Sequence, residues 1–130
     1  MTSLVPIRRE LVFWVPDEAD ALHAAREQAR LAATTAGLPE QAEAAALLLS
    51  ELAANALRHA GGLAHVRLLC QPRALRVEVT DPDPTPAELT HTALDAEHGR
   101  GLHLVAALAH AWGCDRHEHG KTVWCELGAP

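Results

Sequence analysis

Glu51, Asn55 and His59 stand four residues apart within LLLSELAANALRHA (47–60), a spacing that stacks a carboxylate, a carboxamide and an imidazole along one face of a helix. A carboxylate so placed orients or deprotonates a hydroxyl nucleophile. The neutral side-chain oxygen of an asparagine is a hard ligand for Mg²⁺, which binds phosphates while keeping several waters. Leu47, Leu48, Leu52 and Ala56 form the apolar side of the segment, so Glu51 and Asn55 fall near its edge, where a cleft suits them. The same spacing also fits a helix face turned to water. The features that follow in the chain decide between the two.

Three come in order. Asp81 ends the alternating run RVEVTD, and a buried carboxylate after a strand can accept a hydrogen bond from an amino group such as that of adenine. Gly99-Arg100-Gly101 opens an apolar helical segment, where backbone N–H groups reach a phosphate closely. Gly120-Lys121-Thr122 leads into a last strand. His59 reads as a packed or capping residue. His117, His119 and Cys114 lack a second well-spaced ligand pair, so zinc is not expected there.

The elements that must hold these residues are legible from period and punctuation. Glu10 to Val15 is a strand stopped by Pro16. Asp17 and Glu18 open a helix whose apolar stripe is Leu22, Ala25, Ala29 and Ala33, ended by Gly37-Leu38-Pro39. A second helix runs from about Pro39 to His59 and stops at Gly61-Gly62. Residues 64–70 and 74–80 are strands joined at Gln71-Pro72-Arg73 as a hairpin. Proline-rich, sparsely apolar residues 81–99 form a long loop, of a length that is usually functional. A short helix over 101–109 and a closing hairpin, 111–116 and 121–127 about a turn at His119-Gly120, complete the chain. This order predicts an α+β fold: a two-layer sandwich with helices on one face of a mostly antiparallel mixed sheet.

Composition narrows the function. A chain of 130 residues, 48% hydrophobic and about a fifth alanine, fits one domain with one core. Its formal net charge of −6 and the lack of a basic stripe beyond Arg8-Arg9 exclude a phosphate-backbone binder, so no direct contact with nucleic acid is expected. One Phe, three Trp and no Tyr supply no base-stacking platform. Three cysteines without a CxxC pair fit a reducing compartment, although a Cys114–Cys125 disulfide is open if the two face each other on paired strands. No apolar run is long enough to cross a membrane, and a soluble cytoplasmic protein is expected.

The four motifs, in this order and at these distances, resemble the GHKL (Bergerat-fold) ATP-binding superfamily, and within it the small bacterial anti-sigma-factor serine/threonine kinases. The resemblance runs from about Leu11 to Leu127. SELAANALRHA is similar to the N box, RVEVTDPDP to the first adenine-pocket motif, HGRGLHLV to the second glycine motif and GKTVWCEL to the terminal strand. It implies Glu51 as the general base, Asn55 as the Mg²⁺ ligand and Arg58 facing phosphate. It implies Asp81 on the adenine amino group with Thr122 behind it, and Gly99, Arg100, Gly101 and Leu102 around the phosphates of ATP. Residues 82–98 would be the ATP lid. The implied activity is transfer of the γ-phosphoryl group to a Ser or Thr of an anti-anti-sigma-like partner, with sigma-factor binding and a homodimer as further expectations.

One motif departs from the pattern. Asp81-Pro82-Asp83-Pro84-Thr85 stands where the family has Asp-x-Gly-x-Gly. Proline has no N–H and no access to positive φ, so this wall of the pocket is shaped differently, and Asp83 adds negative charge. That departure keeps a second function open: a partner-switching, anti-sigma binding module with little or no nucleotide binding. A third is an ATP-hydrolysing module that needs no protein acceptor.

Overall fold

Among the described residues are five strands, most with apolar residues at every second position, and their buried face is covered by two alanine-rich helices. The computed structural model describes residues 9–60, 62–82, 105 and 107–128, without the side chains of His59 and Ala60. In chain order these form β1 (Arg9–Pro16), α1 (Ala19–Thr35), a 3₁₀ turn (Pro39–Gln41), α2 (Ala42–Ala60), β2 (Leu63–Gln71), β3 (Ala74–Asp81), β4 (Ala111–His117) and β5 (Gly120–Gly128). The sheet order is β1-β2-β3-β5-β4, and all four strand pairings are antiparallel.

Val66, Leu68, Val77, Val79, Val123, Cys125 and Leu127 point from the sheet into the core. Leu48, Leu49, Leu52 and Ala56 of α2 and Ala25, Ala29, Ala32 and Ala33 of α1 meet them. Alanines on α1 let the two helices lie close while both reach the sheet, which is why so few aromatic residues suffice. The opposite face carries a ladder of charges: Glu10, Arg67, Glu78, Arg76 and Glu126 are linked at 2.7–3.2 Å across β1, β2, β3 and β5. The Arg76 guanidinium also lies 4.2 Å from the centre of the Trp124 ring.

Local differences from the sequence reading have local causes. The second helix begins with a 3₁₀ turn because Pro39, lacking an N–H, sits at the first helical position and tightens it. α1 stops where expected: Leu38 N–H donates to Ala33 O and Gly37 N–H to Thr34 O, with Gly37 at φ +83°. Pairing of Gln71 with Ala74 leaves only Pro72-Arg73 as the hairpin turn. Arg73 takes φ +60°, held by its N–H donating to Ala36 O at 2.7 Å. His117 pairs with Gly120, so the last turn is Glu118-His119, one residue earlier than expected. Of the short helix before β4, Val105 is buried and its carbonyl accepts from Ala109 N–H at 2.9 Å.

The cysteines are free. β4 and β5 do pair, but Cys114 faces Val123 and Cys125 faces Trp112, two residues out of register for a disulfide. Burial among apolar neighbours pushes the Cys125 thiol up from 9.0 to about 12. In the unfolded chain this thiol ionises near its ordinary value, whereas in the fold it stays neutral, so its contribution to stability is complete below about pH 9 and is lost toward pH 12. Denaturant titrations at pH 8 and pH 10.5 should show an alkaline loss that is smaller in Cys125→Ala than in the wild type, although the variant starts from a lower stability.

Candidate functional site

α2 packs on β2 and β3, runs through Gly62 and turns back into β2. His65, near the start of β2, pairs with Thr80. The C-terminal half of α2 and the end of β3 therefore lie at the same end of the sheet, and the candidate residues on both elements meet there by topology.

Leu48, Leu52, Asn55 and Ala56 share the buried stripe of α2, at helical spacing i, i+4, i+7 and i+8. Asn55 is thus a core position and not an edge one: it is 4% exposed, while Leu47 is turned outward. Among the described residues its Oδ1 accepts only a long 3.4 Å hydrogen bond, from the exposed Arg58, and its Nδ2 is buried with no hydrogen-bond partner. An unsatisfied buried amide costs about 1–3 kcal/mol, which a fold tolerates where a ligand completes it. Glu51, one turn earlier, is half-buried.

These residues fit Mg²⁺ in one specific way. Among the described residues no group of three His, Cys, Asp or Glu gathers to form a protein cage. A single carboxamide at an under-bonded position suits a cation that takes its other ligands from phosphate and water. Turning the Asn55 amide over presents oxygen where nitrogen now lies, at the expense of the long bond from Arg58.

At the end of β3, Asp81 is 2% exposed and pairs directly with Lys121 of β5. The Lys121 ammonium, itself fully buried, donates to Asp81 Oδ1 at 3.2 Å. Lys121 is a residue the sequence reading passed over. The signal was there: Val123, Cys125 and Leu127 point inward, and a period of two carries Lys121 inward with them. The same period sends Thr122 to the opposite face, where its hydroxyl is 2.8 Å from that of Thr80 and 3.3 Å from His117 Nε2. The structure does not bring Thr122 to Asp81; Lys121 stands in that place.

Gly120 supplies room on this side. A Cβ at Gly120 would lie 2.0 Å from the Asp81 carbonyl oxygen, and its φ of +144° is one that side chains rarely adopt. Asp81 is thus held close by a glycine on the neighbouring strand, while its own chain continues into Pro82. Gly120→Ala should lower stability by more than about 1 kcal/mol in a denaturant titration, because both the space and the backbone angle are refused. Gly99, Arg100, Gly101 and Leu102, and residues 83–98 of the expected lid, lie outside the described residues.

No helix among the described residues is long and apolar enough to cross a membrane. The histidine kinase-like ATPase domain family matches the chain over residues 15–127. No curated protein matches it.

Proposed function

Because the chain belongs to the histidine kinase-like ATPase domain family, we propose that it is an ATP-dependent serine/threonine protein kinase acting on a regulatory partner. The observation that carries this reading is the buried, under-bonded Asn55 amide one helical turn beyond Glu51, at the sheet end where Asp81 closes β3. In this reading Asp81 accepts from the adenine amino group, Arg58 steadies phosphate, and Asn55 holds Mg²⁺. Gly99, Arg100, Gly101 and Leu102 would enclose the phosphates. The metal, when bound, neutralises charge on the β- and γ-phosphates.

Glu51 is the group that acts on the acceptor. Its carboxylate takes the proton of a Ser or Thr hydroxyl as that oxygen bonds to the γ-phosphorus. The bond from phosphorus to the β–γ bridging oxygen breaks, and ADP leaves with the electron pair. Positioning and charge neutralisation supply most of the acceleration. The acceptor is an anti-anti-sigma-like protein, and the kinase, as a homodimer, also sequesters a sigma factor. A cytoplasmic setting suits these partners.

A second reading, a non-catalytic adaptor with weak nucleotide binding, draws on Asp81-Pro82-Asp83-Pro84 and on the ion pair that Asp81 already makes. Incubation of the protein and the protein encoded beside it with γ-labelled Mg·ATP separates the two. The kinase reading expects label on a Ser or Thr of the acceptor; complex formation with no label supports the adaptor and rejects the kinase.

A further inference from the structure

The Asp81–Lys121 pair sits where the proposed function needs a carboxylate for the nucleotide base. Both residues are buried, they face each other directly across β3 and β5, and the ammonium reaches Oδ1 at 3.2 Å. An ammonium gives a carboxylate the attraction of opposite full charges on top of the hydrogen bond, which a neutral amino group donating to the same carboxylate lacks. The exocyclic amino group of adenine is such a neutral donor. When a base arrives, it meets a carboxylate whose strongest available donor is already in place and belongs to the protein.

Removing that donor is not a matter of side-chain drift. Lys121 is fixed by its strand: Val123 and Cys125 lock the inward register of β5, and the Thr122 hydroxyl on the opposite face is tied to Thr80. Swinging the ammonium away would leave a charge in a space with no exposure to water. The base must therefore share Asp81 with Lys121.

We propose that Lys121 is an internal competitor for the base-recognition carboxylate, so that this site takes purine nucleotide with the contribution of the 6-amino group largely suppressed. This rests on the reading of Asp81 as the base-recognising residue. The consequence is a site whose affinity comes from the phosphate end, through Asn55, Arg58 and Mg²⁺, and which discriminates poorly between purines that differ at position 6. A site relying on a hydrogen bond to a substrate amino group rejects an analogue lacking it by a large factor. This site, whose acceptor already has Oδ1 on an ammonium, does so far less.

Calorimetric titrations with two ligands and two proteins test this. For the wild type, Mg·ATP and the Mg complex of purine riboside 5′-triphosphate, which lacks the 6-amino group, should bind within about threefold of each other. Lys121→Thr, which releases Asp81, should bind Mg·ATP at least about tenfold more tightly than the wild type, and should now prefer it over the analogue by at least about tenfold. The wild-type comparison stands even if Lys121→Thr does not fold. A wild type that binds ATP at least tenfold more tightly than the analogue overturns the inference and leaves the nucleotide reading intact, as does a folded Lys121→Thr that binds ATP no better than the wild type. Absence of binding of either ligand to either protein overturns the inference and the nucleotide reading together.

Discussion

Glu51→Gln should slow phosphoryl transfer to the acceptor by about 10²- to 10⁴-fold, equivalent to about 3–5 kcal/mol of barrier, while nucleotide affinity stays within about twofold. The substitution keeps the shape of the side chain and its place one turn before Asn55, and removes only the ability to take a proton. A residue that merely shaped α2 would move stability or affinity instead. Glu51 is half-buried beside the face of α2 that packs Leu48 and Leu52 against the sheet, so its backbone is fixed by the core. The readout is transfer of labelled phosphate under saturating Mg·ATP, beside a calorimetric titration of the same variant. A loss of transfer matched by an equal loss of affinity would assign Glu51 to binding and remove it as the base.

The second large effect is on folding. Asp81→Ala leaves the fully buried Lys121 ammonium without the carboxylate it faces, and breaking a buried pair on one side costs about 3–5 kcal/mol. Against a total stability of about 5–15 kcal/mol this is a severe loss, visible as a large fall in the denaturant midpoint. The double variant Asp81→Ala/Lys121→Met removes both charges, fills much of the same volume and should regain most of the stability, since a buried pair is worth little more than well-packed apolar groups. Near-additive losses in the double variant would show that each residue is held by other contacts and that the pair is not a unit.

These two residues mark how far the sequence could be read. The helix bearing Glu51 and Asn55, the Gly37 stop, both hairpins and the antiparallel sheet followed from period, turn chemistry and strand alternation, because each depends on neighbours close in the chain. The depth of Asn55 did not. Its place in the buried stripe depends on which way α2 is rolled against β2 and β3, and Leu47, counted as apolar and therefore inward, is turned out in favour of Leu49 and Ala53. Asp81 was singled out by its position after a strand, whereas its partner was missed because a lysine between Gly120 and Thr122, at the entry to a strand, reads as a surface residue. Only the registration of β5 against β3 makes it a buried one. Thr122 illustrates the same point from the other side: a single-residue shift along a strand exchanges the two faces of the sheet.

The departure at Asp81-Pro82 also takes on a physical shape. Positive-φ freedom, absent at the prolines, appears across the ladder at Gly120, where the missing Cβ admits the Asp81 carbonyl. With Lys121 directly after Gly120, one short segment both makes room for Asp81 and occupies its carboxylate.

The central claim is that a nucleotide with its metal is held at the end of α2 through Asn55, and the most direct test is a calorimetric titration of the wild type and Asn55→Ala with ATP, in Mg²⁺ and again in excess chelator. The account predicts saturable binding by the wild type at or below millimolar nucleotide, weakened by removal of Mg²⁺. It predicts that Asn55→Ala, folded by circular dichroism, loses the Mg²⁺-dependent part. Binding by Asn55→Ala with undiminished Mg²⁺ dependence, or no binding by the wild type at millimolar nucleotide, would contradict it.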